Sequence, residues 1–187
     1  FNGYHMGITA ENVATKFQVT RDQQDKFALS SQQKALKAQK ENKFKNEIVN
    51  FKIKSKKSEV NFNQDEHPRD GINLEALKRL KPVFKKDGTV TAGNASGIND
   101  GAAAVTLMTE EEAEKRSLSK LVTIKSWASC GVDPALMGTG PIPSSKKALE
   151  LAGWSIKDLD LLEVNEAFAA QSIAAVSYTH LTLPTIA

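Results

Sequence analysis

The 187 residues carry 25 Lys and Arg against 22 Asp and Glu, a net charge of +3, and 40% are apolar. That balance fits one folded domain or pieces of two, and excludes a disordered or low-complexity chain; no run approaches the ~18 to 20 apolar residues of a bilayer span. A single cysteine, Cys130, allows no internal disulfide and suits a reducing cytosol, while His5, His67 and His180 lack the spacing of a zinc site.

The chain opens on Phe1, not Met, so it is expected to continue upstream in a longer protein, and no basic stretch leading into an apolar run suggests a secretory leader. Thr9 to Phe17 reads as a short helix with Thr9 as N-cap. A longer helix follows, opened by a Thr20/Gln23 capping box, with Phe27, Ser31, Ala35 and Ala38 on one face. Nine lysines between 34 and 57 face only Glu41 and Glu47, a patch able to attract phosphates or nucleic acid. A solvated helix face followed by a lysine-guarded strand explains it more simply. Val49, Phe51 and Ile53 alternate with polar residues as a half-buried strand does. Residues 55 to 75 are a polar surface excursion, and Leu74, Leu77 and Leu80 mark a short helix stopped by Pro82.

Beyond Gly88 the pattern becomes α/β. Ala102 to Met108 is expected as a buried strand, Thr109/Glu112 as a capping box opening a charged helix to about Ser117, and Leu121 to Cys130 as a strand. Ser144 is the expected cap of a helix through Ala152 that stops at Gly153. Leu159 to Val164 reads as another strand, with a helix from Asn165 to about Ala175.

Two stretches could carry chemistry. In Thr91-Ala-Gly-Asn-Ala-Ser96-Gly-Ile-Asn-Asp-Gly101, glycine recurs every four residues among small neighbours. Such a loop can take positive φ, or lie against an extended ligand beside the Ser96 hydroxyl. On spacing alone a structural turn before a buried strand is the better reading, and neither a Walker loop nor GxGxxG is present. Asn165 stands where a strand ends, a place where an amide can serve an oxyanion directly or through a water; an N-cap role fits as well. Met137, in a stiff Gly/Pro loop, suits an apolar pocket or simple core filling. His5 and Arg69 have ordinary structural readings beside functional ones.

In this order, YHMGITAEN at 4 to 12, TVTAGNASGINDGAAA at 89 to 104, MGTGP at 137 to 141 and NEAFAAQ at 165 to 171 resemble the thiolase family, in its bacterial biosynthetic branch, and the resemblance runs to about residue 175. It implies a partial α/β thiolase fold, layered αβαβα: a coenzyme A-binding loop domain at 1–98, the end of the N-terminal half at 99–117 and the start of the C-terminal half at 118–176. The implied reaction condenses two acetyl-CoA to acetoacetyl-CoA, or reverses it, through an acetyl-cysteine. Carried over by position, Asn165 would hold an oxyanion-hole water. Ala92, Ala95, Ser96 and Gly97 would line the pantetheine channel, with Arg69 near the nucleotide. Phe84, Ala167 and Phe168 would border the tunnel. His5, Met6 and Met137 would shape an acyl pocket, the two methionines favouring a short chain.

The family's two catalytic cysteines and its Gly-His-Pro histidine match nothing here, so the chain alone is expected to be inactive, with Cys130 a buried structural thiol. Residues 177–187 match no family pattern and are expected to be foreign, so His180 is not taken as catalytic. The resemblance further implies a cytoplasmic homodimer or homotetramer, with no metal or other cofactor beyond the coenzyme A thioester substrate, and no nucleic-acid or membrane partner. Alternatives are a longer-chain 3-ketoacyl-CoA thiolase, a non-catalytic coenzyme A-binding protein, or a hydrolase using Cys130.

Overall fold

A computed structural model describes residues 3–54 and 58–179. Helix α1 spans Met6–Lys16 and starts three residues before the expected cap. His5 caps it instead, its Nδ1 accepting from Gly7 N at 3.0 Å, while Thr9 Oγ1 turns back to donate to Met6 O at 2.6 Å. Helix α2, Arg21–Lys40, begins at the expected capping box, with Thr20 N donating to Gln23 Oε1 and Gln23 N to Thr20 Oγ1. These reciprocal bonds serve two donors that the first turn would otherwise leave open.

Strands β1 (Phe51–Lys54) and β2 (Glu59–Phe62) pair antiparallel, Phe51 opposite Phe62 and Ile53 opposite Val60. The expected half-buried strand is therefore half of a hairpin, and all eight of its residues are exposed. Among the described residues no helix packs closely against the hairpin. Its apolar pairs cover one another across the ladder, and Lys52 meets Glu59 at 2.9 Å.

Short helices α3 (Leu74–Lys78) and α4 (Glu110–Lys115) follow, the latter capped by Thr109 as expected. A 3₁₀ turn at Pro134–Thr139 leads into α5 (Pro141–Ala152). Pro141 occupies the first turn of α5, so the helix starts before Ser144, whose Oγ donates to Gly140 O at 2.7 Å rather than capping. Gly153 closes α5 in the left-handed conformation, φ 68°, as expected. A second 3₁₀ turn, Ile156–Asp158, precedes α6 (Ala169–Thr179).

The core is a helical seam. Val13 and Ala14 of α1 pack with Val19 and with Ala170 and Ala174 of α6, and Phe17, Leu136 and Ile173 close around them. Ala170 and Ala174 lie four apart on one face, and their small side chains let α6 approach α1 and α2 closely.

The three strands expected at 102–108, 121–130 and 159–164 are not formed. Those stretches are apolar enough, but a strand exists only through a neighbour's hydrogen bonds, and none pairs with them among the described residues. Val105, Leu107, Leu121 and Val122 are consequently 72–95% exposed. Cys130 lies outside any strand and is half-buried, which corrects the expectation of a buried thiol. The expectation of a foreign tail falls mostly outside the described residues, as does His180. No described helix is long and apolar enough to cross a membrane.

Candidate functional site

Two buried carboxylates fix the glycine-punctuated loop. Glu11, on α1, is 4% exposed. Its oxygens accept from Thr89 N at 2.8 and 2.9 Å, from Thr89 Oγ1 at 2.9 Å and from Val90 N at 2.8 Å. Asp25, on α2, accepts from Asn94 Nδ2 at 3.0 Å and from Arg21 Nε at 2.8 Å. Asn94 is the hub of the loop: its Oδ1 accepts from Thr91 N at 2.8 Å, and its Nδ2 also donates to Thr89 O at 3.1 Å. A buried charge persists only when hydrogen-bonded in this way.

The loop so held is stitched to the segment before α6. Ser96 N donates to Ala167 O and Ala169 N to Asn94 O, both at 2.9 Å, and Ala95 and Phe168 form an antiparallel bridge. The helix therefore begins at Ala169, four residues later than expected, and Asn165 is not its N-cap. Freed from capping, Asn165 is exposed at a cleft of about 520 Å³ that also takes in Ala95, Ser96, Gly97 and the α2 residues Ser31 and Gln32.

A second cleft, about 760 Å³, adjoins it through Ala35, Asp65, His67, Pro68 and Asn99, and carries Arg69 with the aromatic walls Phe44, Phe51 and Phe62. What limits side chains at Gly93 and Gly97 is close approach, not φ. Neither Gly93 nor Gly97 has positive φ, contrary to one expectation for this loop. A Cβ on Gly97 would stand 2.8 Å from His67 Cε1, and one on Gly93 2.5 Å from Leu77 Cδ2.

The other expected residues are distributed around this centre. The His5 ring stacks on Phe84 at 4.7 Å, and Phe84 meets Phe168 edge-on at 6.3 Å, so three expected residues form one aromatic row beside the stitched segment. Ala167 contributes its carbonyl to the stitch. Ala92, Met6 and Met137 are exposed and line neither cleft. Sequence reasoning missed Glu11, Asp25 and Asn94, which hold the loop, and His67, Ser31 and Glu166, which face the clefts. Among the described residues no cluster of three or more His, Cys, Asp or Glu could hold a metal ion.

Helices surround a loop-built cleft that an asparagine faces from a non-helical segment, and the chain as a whole has the partial α/β fold of a known family. The chain belongs to the thiolase family: residues 1–111 match the thiolase N-terminal domain and 118–185 the thiolase C-terminal domain. It is 62% identical over 174 residues to the acetyl-CoA acetyltransferases of Rhizobium meliloti (strain 1021) and of Paracoccus denitrificans, covering 93% of this chain and 44% of each relative. Among solved structures it is similar to the Bacillus anthracis acetyl-CoA acetyltransferase (TM-score 0.90, 49% identity, 97% of this chain and 46% of that one). It is also similar to human mitochondrial 3-ketoacyl-CoA thiolase (TM-score 0.88, 46% identity, 94% and 45%). The chain thus spans less than half the length of the relatives it matches.

Proposed function

We infer that the two adjoining clefts form the coenzyme A-binding side of an acetyl-CoA acetyltransferase. The observation that carries this is the meeting of Ser96 and Asn165, 69 positions apart, in one cleft that opens onto a second one holding Arg69. An extended thioester fits such a path: its nucleotide beside Arg69 and the aromatic walls, its pantetheine arm past His67 and Gly97, its carbonyl toward Asn165. The relatives' names and their identity to this chain support an acetyl substrate. In this reading residues 1–98 are the loop domain, 99–117 end the first half and 118–176 open the second, in a cytoplasmic homodimer or homotetramer.

Chemically, an amide at Asn165 offers N–H toward the oxygen that gains charge when a thioester carbonyl is attacked, directly or through a water. The residues here bind and orient; the nucleophilic cysteine, the proton-abstracting cysteine and the histidine of the reaction match no residue of this chain. The chain alone is therefore inactive in acetoacetyl-CoA thiolysis. The test is calorimetric titration of the 187-residue chain with coenzyme A and acetyl-CoA, alongside a thiolysis assay. Saturable one-site binding without turnover is expected. No binding of either ligand refutes the cleft assignment, and turnover refutes the inactivity.

A second reading, a thiolase acting on longer 3-ketoacyl chains, has its support in the likeness to the human mitochondrial enzyme and in the exposure of Met6 and Met137, 55% and 47%, which leaves them short of a closed wall. Comparing acetyl-CoA with decanoyl-CoA in the same titration separates the two, since the acetyl reading expects no gain from the longer chain.

A further inference from the structure

Asn165 is held less directly than the residues that follow it. The backbone bonds of the stitch reach Ala167, Phe168 and Ala169, and none reaches Asn165. Among the described residues, the side-chain bond tying this end of the segment to the body of the protein runs from Ser31 Oγ to Glu166 Oε2, at 2.6 Å. At that length it is a short hydroxyl-to-carboxyl hydrogen bond. Its two residues lie 135 positions apart, and both line the cleft with Asn165.

Ser31 is a firm anchor. It lies on α2, whose first two turns are fixed by the capping box, by the Arg21–Asp25 ion pair and by Arg21 Nη2 donating to Leu77 O at 2.6 Å. Glu166 is the immediate neighbour of Asn165, so pinning its side chain to α2 restricts the dihedrals between them.

The geometry points to Ser31 and Glu166 as a positioning pair that sets the direction in which Asn165 faces the cleft. The pair itself touches no reacting atom; it acts through Asn165. This rests on the coenzyme A reading of the cleft, and it adds two residues to which no role in the reaction has been given. Without the pin, Asn165 samples more orientations, and a ligand must order it on binding, a loss of roughly two- to tenfold in affinity for one side chain. Only a ligand with an acyl oxygen feels that loss. Free coenzyme A, which ends in a thiol, does not.

The test titrates the full chain and its variants with acetyl-CoA and with coenzyme A, with far-UV circular dichroism as the folding check. Ser31→Ala and Glu166→Ala are each expected to weaken acetyl-CoA roughly two- to tenfold more than they weaken coenzyme A. The double variant should be no weaker than either single one. Glu166→Gln, which keeps an acceptor oxygen for Ser31, should recover most of the affinity. In an Asn165→Ala background, Glu166→Ala should have no further effect. Equal loss for both ligands, additive single effects, an undiminished effect without Asn165, or no effect at all overturns the pair while leaving the cleft assignment standing. Failure of the unaltered chain to bind either ligand overturns both.

Discussion

Removing the Glu11 carboxylate should cost more than any surface substitution in the chain, and the structure allows the cost to be worked out. Its oxygens receive the N–H groups of Thr89 and Val90 and the Thr89 hydroxyl, in a setting where Glu11, Val90 and Thr91 are at most 4% exposed. In Glu11→Ala the buried Val90 N–H and the half-buried Thr89 N–H lose their acceptor. At about 1–3 kcal/mol for an orphaned buried donor and less for a half-buried one, the loss is roughly 2–4 kcal/mol, a large part of the ~5–15 kcal/mol that holds a domain folded. Glu11→Gln with its oxygen in the Oε1 place still accepts from both N–H groups, and its NH₂ can donate to the Thr89 hydroxyl, so what is lost is the charge of the acceptor, about 1–2 kcal/mol. Hydrogen–deuterium exchange read on peptides covering residues 86–96 reports this locally. A loss of 2 kcal/mol that opens the loop speeds exchange roughly thirtyfold. The alanine variant should therefore exceed the glutamine variant, and both should exceed the unaltered chain. Exchange within twofold of the unaltered chain in Glu11→Ala would refute the idea that this carboxylate holds the loop.

Gly97→Ala places a methyl group 2.8 Å from His67 Cε1 and 2.9 Å from Asn99 Oδ1, both on exposed side chains that can move aside. Thermal stability should shift by less than about 0.5 kcal/mol, while coenzyme A binding by calorimetry falls roughly tenfold as the displaced imidazole narrows the junction; unchanged affinity would remove Gly97 from the ligand path. Asp158 is held below its ordinary value of 3.8, first by the Ser155 backbone N–H and then by the Ser155 hydroxyl. Its contribution to stability is present above that ordinary value and is lost as pH falls through the lower folded value. Ser155→Ala should raise the Asp158 midpoint in an NMR titration only part of the way, because the backbone donor remains; a full return to the ordinary value would make the hydroxyl the main cause. Leu121, Val122 and Trp127 are 80–95% exposed, so the isolated chain should bind anilinonaphthalene sulfonate and self-associate in sedimentation velocity. A single monomeric species with no dye binding would contradict this.

Where a signal was local, the sequence showed it. The Thr20/Gln23 box, the Thr109 cap and the Gly153 stop each depend on residues within one turn, and each stands where expected. Helix starts failed where a non-standard group took the cap, as His5 did through its ring nitrogen, or where proline opened the first turn, as Pro141 did. The strands failed because apolar content at 102–108, 121–130 and 159–164 specifies a preference, and only a neighbouring backbone turns it into a ladder. Glu11 and Asp25 were invisible for a related reason. In sequence they are acidic residues on helices, which are usually solvated, and only the packing of residues 89–94 against α1 and α2 buries them.

The candidate site was legible as a family pattern before it was legible as chemistry. From spacing alone the glycine loop was better read as a structural turn, and Asn165 was as good a helix cap as a ligand contact. The structure removes the cap reading of Asn165 by a backbone event. Ala169 N is taken by Asn94 O, the helix cannot start earlier, and Asn165 is left facing the cleft instead of its own helix. The course of the glycine loop follows from the same event, because the bond from Ser96 N to Ala167 O exists only if both segments come within backbone reach. Gly93 permits that reach by lying against Leu77 and Leu80 with no room for a side chain, while Asn94 holds the loop to α2 through Asp25. Turn and cleft wall are thus one arrangement: the loop is shaped by buried structural bonds, and that shape is what exposes Ser96 and Asn165 to the same space.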